Sequence, residues 1–434
     1  MNRGLLLALG LIFLFHLSAG LYLVYQRPAL FFQNDAEEYY ELGKNLGERG
    51  EFVIEKQRYY EPRRSKIIPE AYRTQIFSVA HGALVFCRIP APAAAALLLA
   101  LISVVSGWLM YAIAYRLTGG SVSASYLALI LYQLHPLLGL YSVQFGSEAM
   151  FTAGLLWFYY SLISYRGWKQ IILAAVAGAV TTLVRPTALV FLPAGVCLIF
   201  FLARSFHYRI WLKAGVYAAL FFLILAPAGI RSLIQSGSFS LTGYLGGYNL
   251  YVGNNRHNLA AYTADNGHDF LHHQTLGWNE AIALVQALPA DTTPAEADRY
   301  MMTRAKQELA EMGPRNVIRL FAGKAWHFLR PYPLPDIHGT FKFWAMTLLE
   351  SLLFLAGIVG AFFLWKKEKA AFWAALMIIG SGFAGHTLVH VYMRHRVPFL
   401  IPFLILFSAV LFQQFLAYLS ARKEHHEVLE SDPC

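Results

Sequence analysis

Two acidic residues and a few arginines interrupt a sequence that is otherwise largely apolar. Asp35 stands in Phe31-Phe32-Gln33-Asn34-Asp35-Ala36-Glu37-Glu38-Tyr39-Tyr40, just after the first apolar run. Glu148 opens a later run, in Gln144-Phe145-Gly146-Ser147-Glu148. Arg185-Pro186 closes another, and Arg394-His395-Arg396 leads into the last, ahead of Pro398 and Pro402. Between the first two runs lie Glu61-Pro62-Arg63-Arg64-Ser65-Lys66 and Glu70-Ala71-Tyr72-Arg73-Thr74. Acids followed by bases close to a bilayer suit an anionic headgroup substrate handled by carboxylate chemistry. The competing reading is a solvated loop whose arginines reach lipid phosphates along their aliphatic stems. Ionisable groups at the edge of apolar segments are costly and point to function by default. Four such features on one face favour an outward-facing polar cavity.

The elements that must position these residues are transmembrane helices. The chain is 57% hydrophobic and only 14% charged over 434 residues, with a mean hydropathy of +0.46, whereas a soluble domain carries about 25% charged residues. Its apolar residues come in runs of bilayer-spanning length. We expect an all-α polytopic membrane protein of about ten spans, near 4–25, 93–116, 121–136, 148–165, 170–185, 187–204, 210–230, 343–364, 370–391 and 397–419. Ser18-Ala19-Gly20 resembles a signal cleavage site, but the apolar run continues through Leu21–Tyr25, which favours an uncleaved anchor.

The net charge of +10 would suggest nucleic acid on a soluble protein. Sorted by membrane side it reads differently. Arg3, Arg116, Arg166 with Lys169, Arg204 with Arg209 and Lys213, Lys366 with Lys367 and Lys369, and Arg422 with Lys423 all fall on one side. That is a positive-inside pattern and puts both termini in the cytoplasm. The organisation expected is an N-terminal transmembrane bundle (1–230, including a first outside loop, 26–92), an outside region (231–342), C-terminal spans (343–420) and a cytoplasmic tail (421–434).

Both outside segments have local structure. Asn34 or Asp35 can cap a helix running to about Gly50, with Tyr39, Leu42 and Leu46 on one face and lying along the membrane surface. The glycines and asparagines of Gly243-Tyr-Leu-Gly-Gly-Tyr-Asn-Leu-Tyr-Val-Gly-Asn-Asn255 predict turns rather than helix. Residues 295–330 read as helix broken at Gly313-Pro314, with a basic amphipathic second half. His268-Asp269 and His272-His273 have the spacing of a helical metal pair, but no further ligand pattern accompanies them. His16 reads as a packing residue. Cys87, Cys197 and Cys434 are too few and too scattered for a disulfide framework or a zinc site.

Taken in order, these motifs resemble the GT-C superfamily of membrane glycosyltransferases that use lipid-phosphate sugar donors. The bacterial branch related to protein O-mannosyltransferases and the lipid A aminoarabinose transferase is the nearest likeness. The resemblance rests on Asn34 to Leu46, Tyr72-Arg73-Thr74, Ser147-Glu148, Arg185-Pro186, Asn249-Leu-Tyr-Val-Gly-Asn-Asn255 and Arg394-His395-Arg396-Val397-Pro398. Thr74-Gln75-Ile76 departs from it, standing where the family often has prolines. The chain also runs only about 15 residues past the tenth span, short of the soluble C-terminal domain of some members.

The resemblance implies a polyprenyl-phosphate sugar as donor and inverting transfer to a hydroxyl on a lipid, glycan or protein acceptor. The membrane would be the cytoplasmic one, with the site facing outside. Asp35 would be the general base, with Glu148 beside it, and Arg73, Arg185, Arg394 and Arg396 would hold the phosphate, with Arg63, Arg64 and Lys66 as further candidates. Tyr39, Tyr72, Asn249 and Asn254 would contact acceptor or sugar. No cofactor or nucleic acid is expected, and a divalent metal has no ligand pattern to support it. The alternatives are a transporter or flippase of a lipid-linked sugar, against which the lack of a repeat argues, or a glycan polymerase or ligase.

Overall fold

The computed structural model describes residues 3–33, 35–63, 70–201, 208–264, 266–331, 340–391 and 393–431. Asn34, Arg64, Lys66, Arg204 and Cys434 lie outside the described residues. The elements are helices in this order: α1 (Arg3–Gln26), α2 (Pro28–Phe31), α3 (Ala36–Arg49), α4 (Ile76–Phe86), α5 (Ala91–Leu117), α6 (Val122–Leu134), α7 (Pro136–Val143), α8 (Ser147–Ser164), α9 (Gly167–Val184), a 3-10 turn (Pro186–Val190), α10 (Phe191–Phe201), α11 (Tyr208–Ser236), α12 (Gly246–Gly253), α13 (Arg256–Tyr262), α14 (Gly267–Gln286), α15 (Pro294–Leu329), α16 (Thr340–Lys367), α17 (Lys369–Leu388) and α18 (Met393–Ser431).

Among the described residues seven helices are long and apolar enough to cross a membrane, namely α1, α5, α9, α11, α16, α17 and α18. The pair α6–α7, bent by 65° at His135, makes an eighth if taken as one span. The chain is therefore a multi-pass membrane protein, but the expected count of about ten is not reached. Helix α8 and the segment Pro186–Phe201 occupy expected positions without belonging to that set. Prolines explain two of the breaks: Pro136 and Pro186 each sit at the first position of a new helical segment, where the missing N–H costs nothing.

Burial sorts the spans. Two-thirds of the most apolar stretch of α5 is buried (67%) against 22% for α1 and 22% for α16, so α5 is central and the other two lie at the periphery of the bundle. Helix α5 packs on α1, α6 and α8, while α9 lies between α8 and α11, and α18 packs on α16 and α6. An almost uniformly apolar helix with no polar stripe is what such an interior position requires.

At one end of the bundle sits a cap made from the described parts of segments 26–92 and 231–342. Helix α3 runs from Ala36 to Arg49 as the capping signal predicts, closed by Gly50 in the left-handed conformation. Asp35 occupies the N-cap position but its carboxylate caps nothing, being engaged elsewhere. Helix α4, inside what reads as a loop, was not expected. It meets α3 at Gly43, Gly47 and Gly82, where any Cβ would press on the opposite helix. The predicted turn after Gly243 is instead the helix α12. Its glycines lower helix propensity, yet Gly247 lets it approach Asp298 of α15 and Gly253 lets it approach Val389, and it buries Tyr248, Tyr251 and Val252. Tertiary packing decides there. Helix α15 kinks at Gly313 as expected and starts with a Thr293–Glu296 capping box.

Candidate active site

Two hydrogen bonds bring distant sequence together beneath the cap. The Phe145 N–H donates to the Phe31 carbonyl at 3.0 Å, which sets the start of α8 beside Asp35. Thr74 Oγ1 donates to the Val184 carbonyl at 2.6 Å, so Arg73 and Arg185, each one residue away, come to the same place. Below them an aromatic cluster of Phe31, Tyr39, Phe77 and Phe145 forms the floor.

Arg73 is the hub. Its Nη2 donates to Asp35 Oδ1 at 2.9 Å and its Nε to Glu38 Oε2 at 2.7 Å, with the guanidinium stacked over Tyr60 and Tyr39. Its side chain is only 10% exposed. Glu38 also accepts from the Tyr60 hydroxyl. Glu70 accepts from the backbone N–H groups of Tyr72 and Arg73 at 2.6 Å each, and Arg58 ties Glu61 and Glu70 together. These bonds hold the loop that carries Arg73. Across the cavity Arg185 Nη1 lies 3.1 Å from Glu148 Oε1 and covers the Phe151 ring.

Asp35, Tyr39, Tyr141, Ser147, Glu148 and Arg394 line one cavity of about 370 Å³. Burial alone would raise the pKa of Asp35, but Arg73, Arg394 and Arg185 together hold it below the ordinary carboxylate value. Asp35 is thus ionised at neutral pH. Tyr141 and Glu148 also border a deeper cavity of about 390 Å³ among α5, α6, α7, α8 and α18. Ser103, Ser106 and Thr152 turn their hydroxyls back onto carbonyls of their own helices there, leaving mainly apolar walls.

The structure therefore gathers Asp35, Arg73, Glu148, Arg185, Arg394 and Tyr39. It does not gather the rest. Arg396 is fully buried on the far side of its helix turn, bonded to the Arg330 carbonyl and 3.2 Å from Glu350 of α16. Arg63 is exposed to solvent. Tyr72 is packed in the aromatic cap with Tyr60 and beneath Arg58. Asn249 is exposed on α12, whereas Asn254 is buried and bonded to the carbonyls of Leu388 and Val389 and to Lys324. His16 is a packing residue as read, bonded to Ile12 and Ser142. Among the described residues no group of three or more His, Cys, Asp or Glu could hold a metal ion.

Two participants escape a reading of the sequence. Glu38 is marked only by standing three residues after Asp35, on the same helical face. Tyr141 carries no signal, because only the bend after α6 turns it toward Glu148 and Arg394.

This arrangement, a capped bundle with its polar cavity at one end, is the fold of the GT-C membrane glycosyltransferases. The chain matches the crystal structure of the Archaeoglobus fulgidus oligosaccharyltransferase in complex with Zn and sulfate at TM-score 0.55 and 12% identity, over 96% of this chain and 51% of that one. It matches archaeal oligosaccharyltransferase AglB from Archaeoglobus fulgidus, in complex with an inhibitory peptide and a dolichol-phosphate, at TM-score 0.52 and 11% identity, over 98% and 52%. The chain thus spans about half the length of these structures. A looser likeness, TM-score 0.42 at 13% identity over 89% and 78%, is to ArnT from Cupriavidus metallidurans bound to undecaprenyl phosphate. Within the fold class, residues 90–230 match the family of dolichyl-phosphate-mannose-protein mannosyltransferases. The family model over residues 90–230 and the shared fold of the oligosaccharyltransferases agree with the resemblance read from the sequence. No curated protein sequence matches the chain.

Proposed function

We propose that this protein transfers a sugar from a polyprenyl-phosphate donor to an acceptor hydroxyl, with inversion, at the outer face of the cytoplasmic membrane. Both termini then lie in the cytoplasm. The observation that carries the reading is that Asp35, Glu148 and Arg394 line one cavity at the head of the bundle, with Arg73 paired to Asp35 and Arg185 to Glu148. A phosphate-linked donor needs guanidinium groups where charge grows as the phosphate departs. The attack needs a carboxylate to take the acceptor's proton. The mainly apolar cavity beneath Glu148 suits the first units of the lipid tail.

In this scheme the donor phosphate sits between Arg185, Arg394 and Arg73. It competes with Asp35 for Arg73. As the phosphate draws that guanidinium over, Asp35 loses a stabilising cation and its proton affinity rises. The acceptor oxygen then attacks the anomeric carbon, the bond from that carbon to the phosphate oxygen breaks, and the proton passes to Asp35. One displacement inverts the anomeric centre. Glu148 keeps Arg185 oriented, and Tyr39 lies where the acceptor approaches. Arg396 has a supporting role, bracing α18 beneath Arg394.

The test is transfer from radiolabelled polyprenyl-phosphate sugars by the purified protein in liposomes, wild type beside Asp35→Asn, with a cell-envelope extract as acceptor. Label in an acceptor with wild type alone supports the reading. Movement of labelled lipid between leaflets without transfer would replace it with a transporter.

A further inference from the structure

Arg73 has a second side. Away from Asp35 it borders another cavity of about 330 Å³, between the first outside loop, the outer end of α11 and the loop 240–243. The walls are mixed: Gln75, Gln235 and Thr242 bring amides and a hydroxyl among Leu183, Ala228 and Leu241, while the Thr74 and Ser240 hydroxyls donate to the Val184 and Gly243 carbonyls. At its edge stands Arg231, an arginine to which the scheme above gives no task. Its Nη2 donates to the Glu70 carbonyl, and its guanidinium lies 4.4 Å over the Phe52 ring. Among the described residues no carboxylate oxygen forms an ion pair with it. The nearest acid, Glu70, is taken up by Arg58 and by the N–H groups of Tyr72 and Arg73.

A half-buried guanidinium fixed by a carbonyl and a ring, with donors left over and a cavity in front of it, is built to receive an anion. The loop that closes the cavity is itself rigidly set. Gly243 adopts a left-handed conformation (φ 87°) and packs on the Tyr72 carbonyl, and the Tyr244 hydroxyl bonds Ser232 at 2.8 Å.

The geometry points to this cavity as the acceptor subsite, with Arg231 reading an anionic group, phosphate or carboxylate, on the acceptor. The inference rests on the transferase reading and adds the acceptor's chemical class. Arg185 and Arg394 already face the donor side of Arg73. A second pocket, with the Arg231 guanidinium and the amides of Gln75 and Gln235 in its lining, is left on the other side for the partner that must meet the donor at Asp35. An anionic acceptor bound there presents its hydroxyl past Arg73 toward that carboxylate.

The experiment uses the full chain in nanodiscs and an envelope extract split by anion exchange into neutral and anionic acceptors. Wild type should label the anionic fraction. Arg231→Gln should raise KM for that fraction roughly tenfold or more, the loss of a charge-assisted bond, with kcat and polyprenyl phosphate binding unchanged. Arg231→Lys should recover part of the loss. Gln235→Ala, at an exposed position, should raise KM more mildly and guards against a folding defect in the arginine variants.

Three outcomes overturn the proposal. Label confined to the neutral fraction would show an uncharged acceptor. Equal weakening of polyprenyl phosphate binding by Arg231→Gln would assign the cavity to the donor. A KM effect that vanishes in nanodiscs without phosphatidylglycerol would make the anion a membrane headgroup. In each of these the wild type still transfers sugar, so the transferase reading stands. Absence of both transfer and polyprenyl phosphate binding in wild type would sink the two together.

Discussion

At the scale of single residues, charge neutralisation decides the behaviour of Asp35. Removing its charge in Asp35→Asn should cut transfer by roughly 10²- to 10⁴-fold, the usual range for a general base, while membrane insertion and thermal midpoint stay as in wild type. Its pKa lies below the ordinary 3.8 because three arginines outweigh its burial. The profile of kcat/KM, which reports the free enzyme, should therefore show no loss from Asp35 protonation above about pH 4. In Arg73→Gln less positive charge opposes the burial penalty, and the acidic limb should move to higher pH. Rates measured between pH 4 and 7 for both proteins check the sign. Glu38→Gln should act through Arg73 and so shift the same limb, whereas a merely structural residue would leave it in place.

Elements meet here through glycines and buried polar groups, and stability should report it. A methyl group at Gly253 would run into the Val389 carbonyl, so Gly253→Ala should cost about 1–3 kcal/mol. Gly215 of α11 has nothing near its absent Cβ. There the same change should gain about 0.5–1 kcal/mol through helix propensity. Thermal denaturation of the pair in detergent tests both signs. Lys324 of α15 is fully buried, donating to Asn254 Oδ1 at 2.7 Å and to the Val389 carbonyl at 3.1 Å. Burial holds its pKa well below 10.5. Between that lowered value and 10.5 the unfolded chain binds more protons than the folded one, so stability rises with pH. Wild type should gain thermal midpoint from pH 7.5 to 9.5 relative to Lys324→Met, which lacks that slope.

On the scale of the whole molecule, buried charge links the two ends of the chain. Arg396 of α18, Glu350 of α16 and His135 at the α6–α7 bend form a fully enclosed group, with His135 Nε2 3.4 Å from Glu350 Oε1. Removing one partner leaves the other charged and buried. Arg396→Met should thus cost about 3–5 kcal/mol while sparing donor affinity in the molecules that remain folded. Arg394→Ala, two residues away, should do the reverse: weaker polyprenyl phosphate binding at an unchanged thermal midpoint. Much of this molecule was legible in its sequence. Long apolar runs make transmembrane helices, and costly charges at their ends draw attention to residues that the fold gathers at one end of the bundle. Asp35, Glu148, Arg185 and Arg394 were singled out in that way, and Arg73 through its loop motif and the resemblance. What the sequence could not reveal depends on contacts between distant segments. It could not separate Arg394 from Arg396, because residues two apart on one helical turn face opposite sides, and only packing decides which side is cavity and which is core. It did not show α12 as a helix, since the low helix propensity of its three glycines is overridden by a close fit against α15. It gave no role to Arg231, whose meaning lies in having Glu70 already occupied and a cavity in front. Local chemistry determined what kinds of residue were present at the membrane edge; only tertiary packing decided which of them face each other.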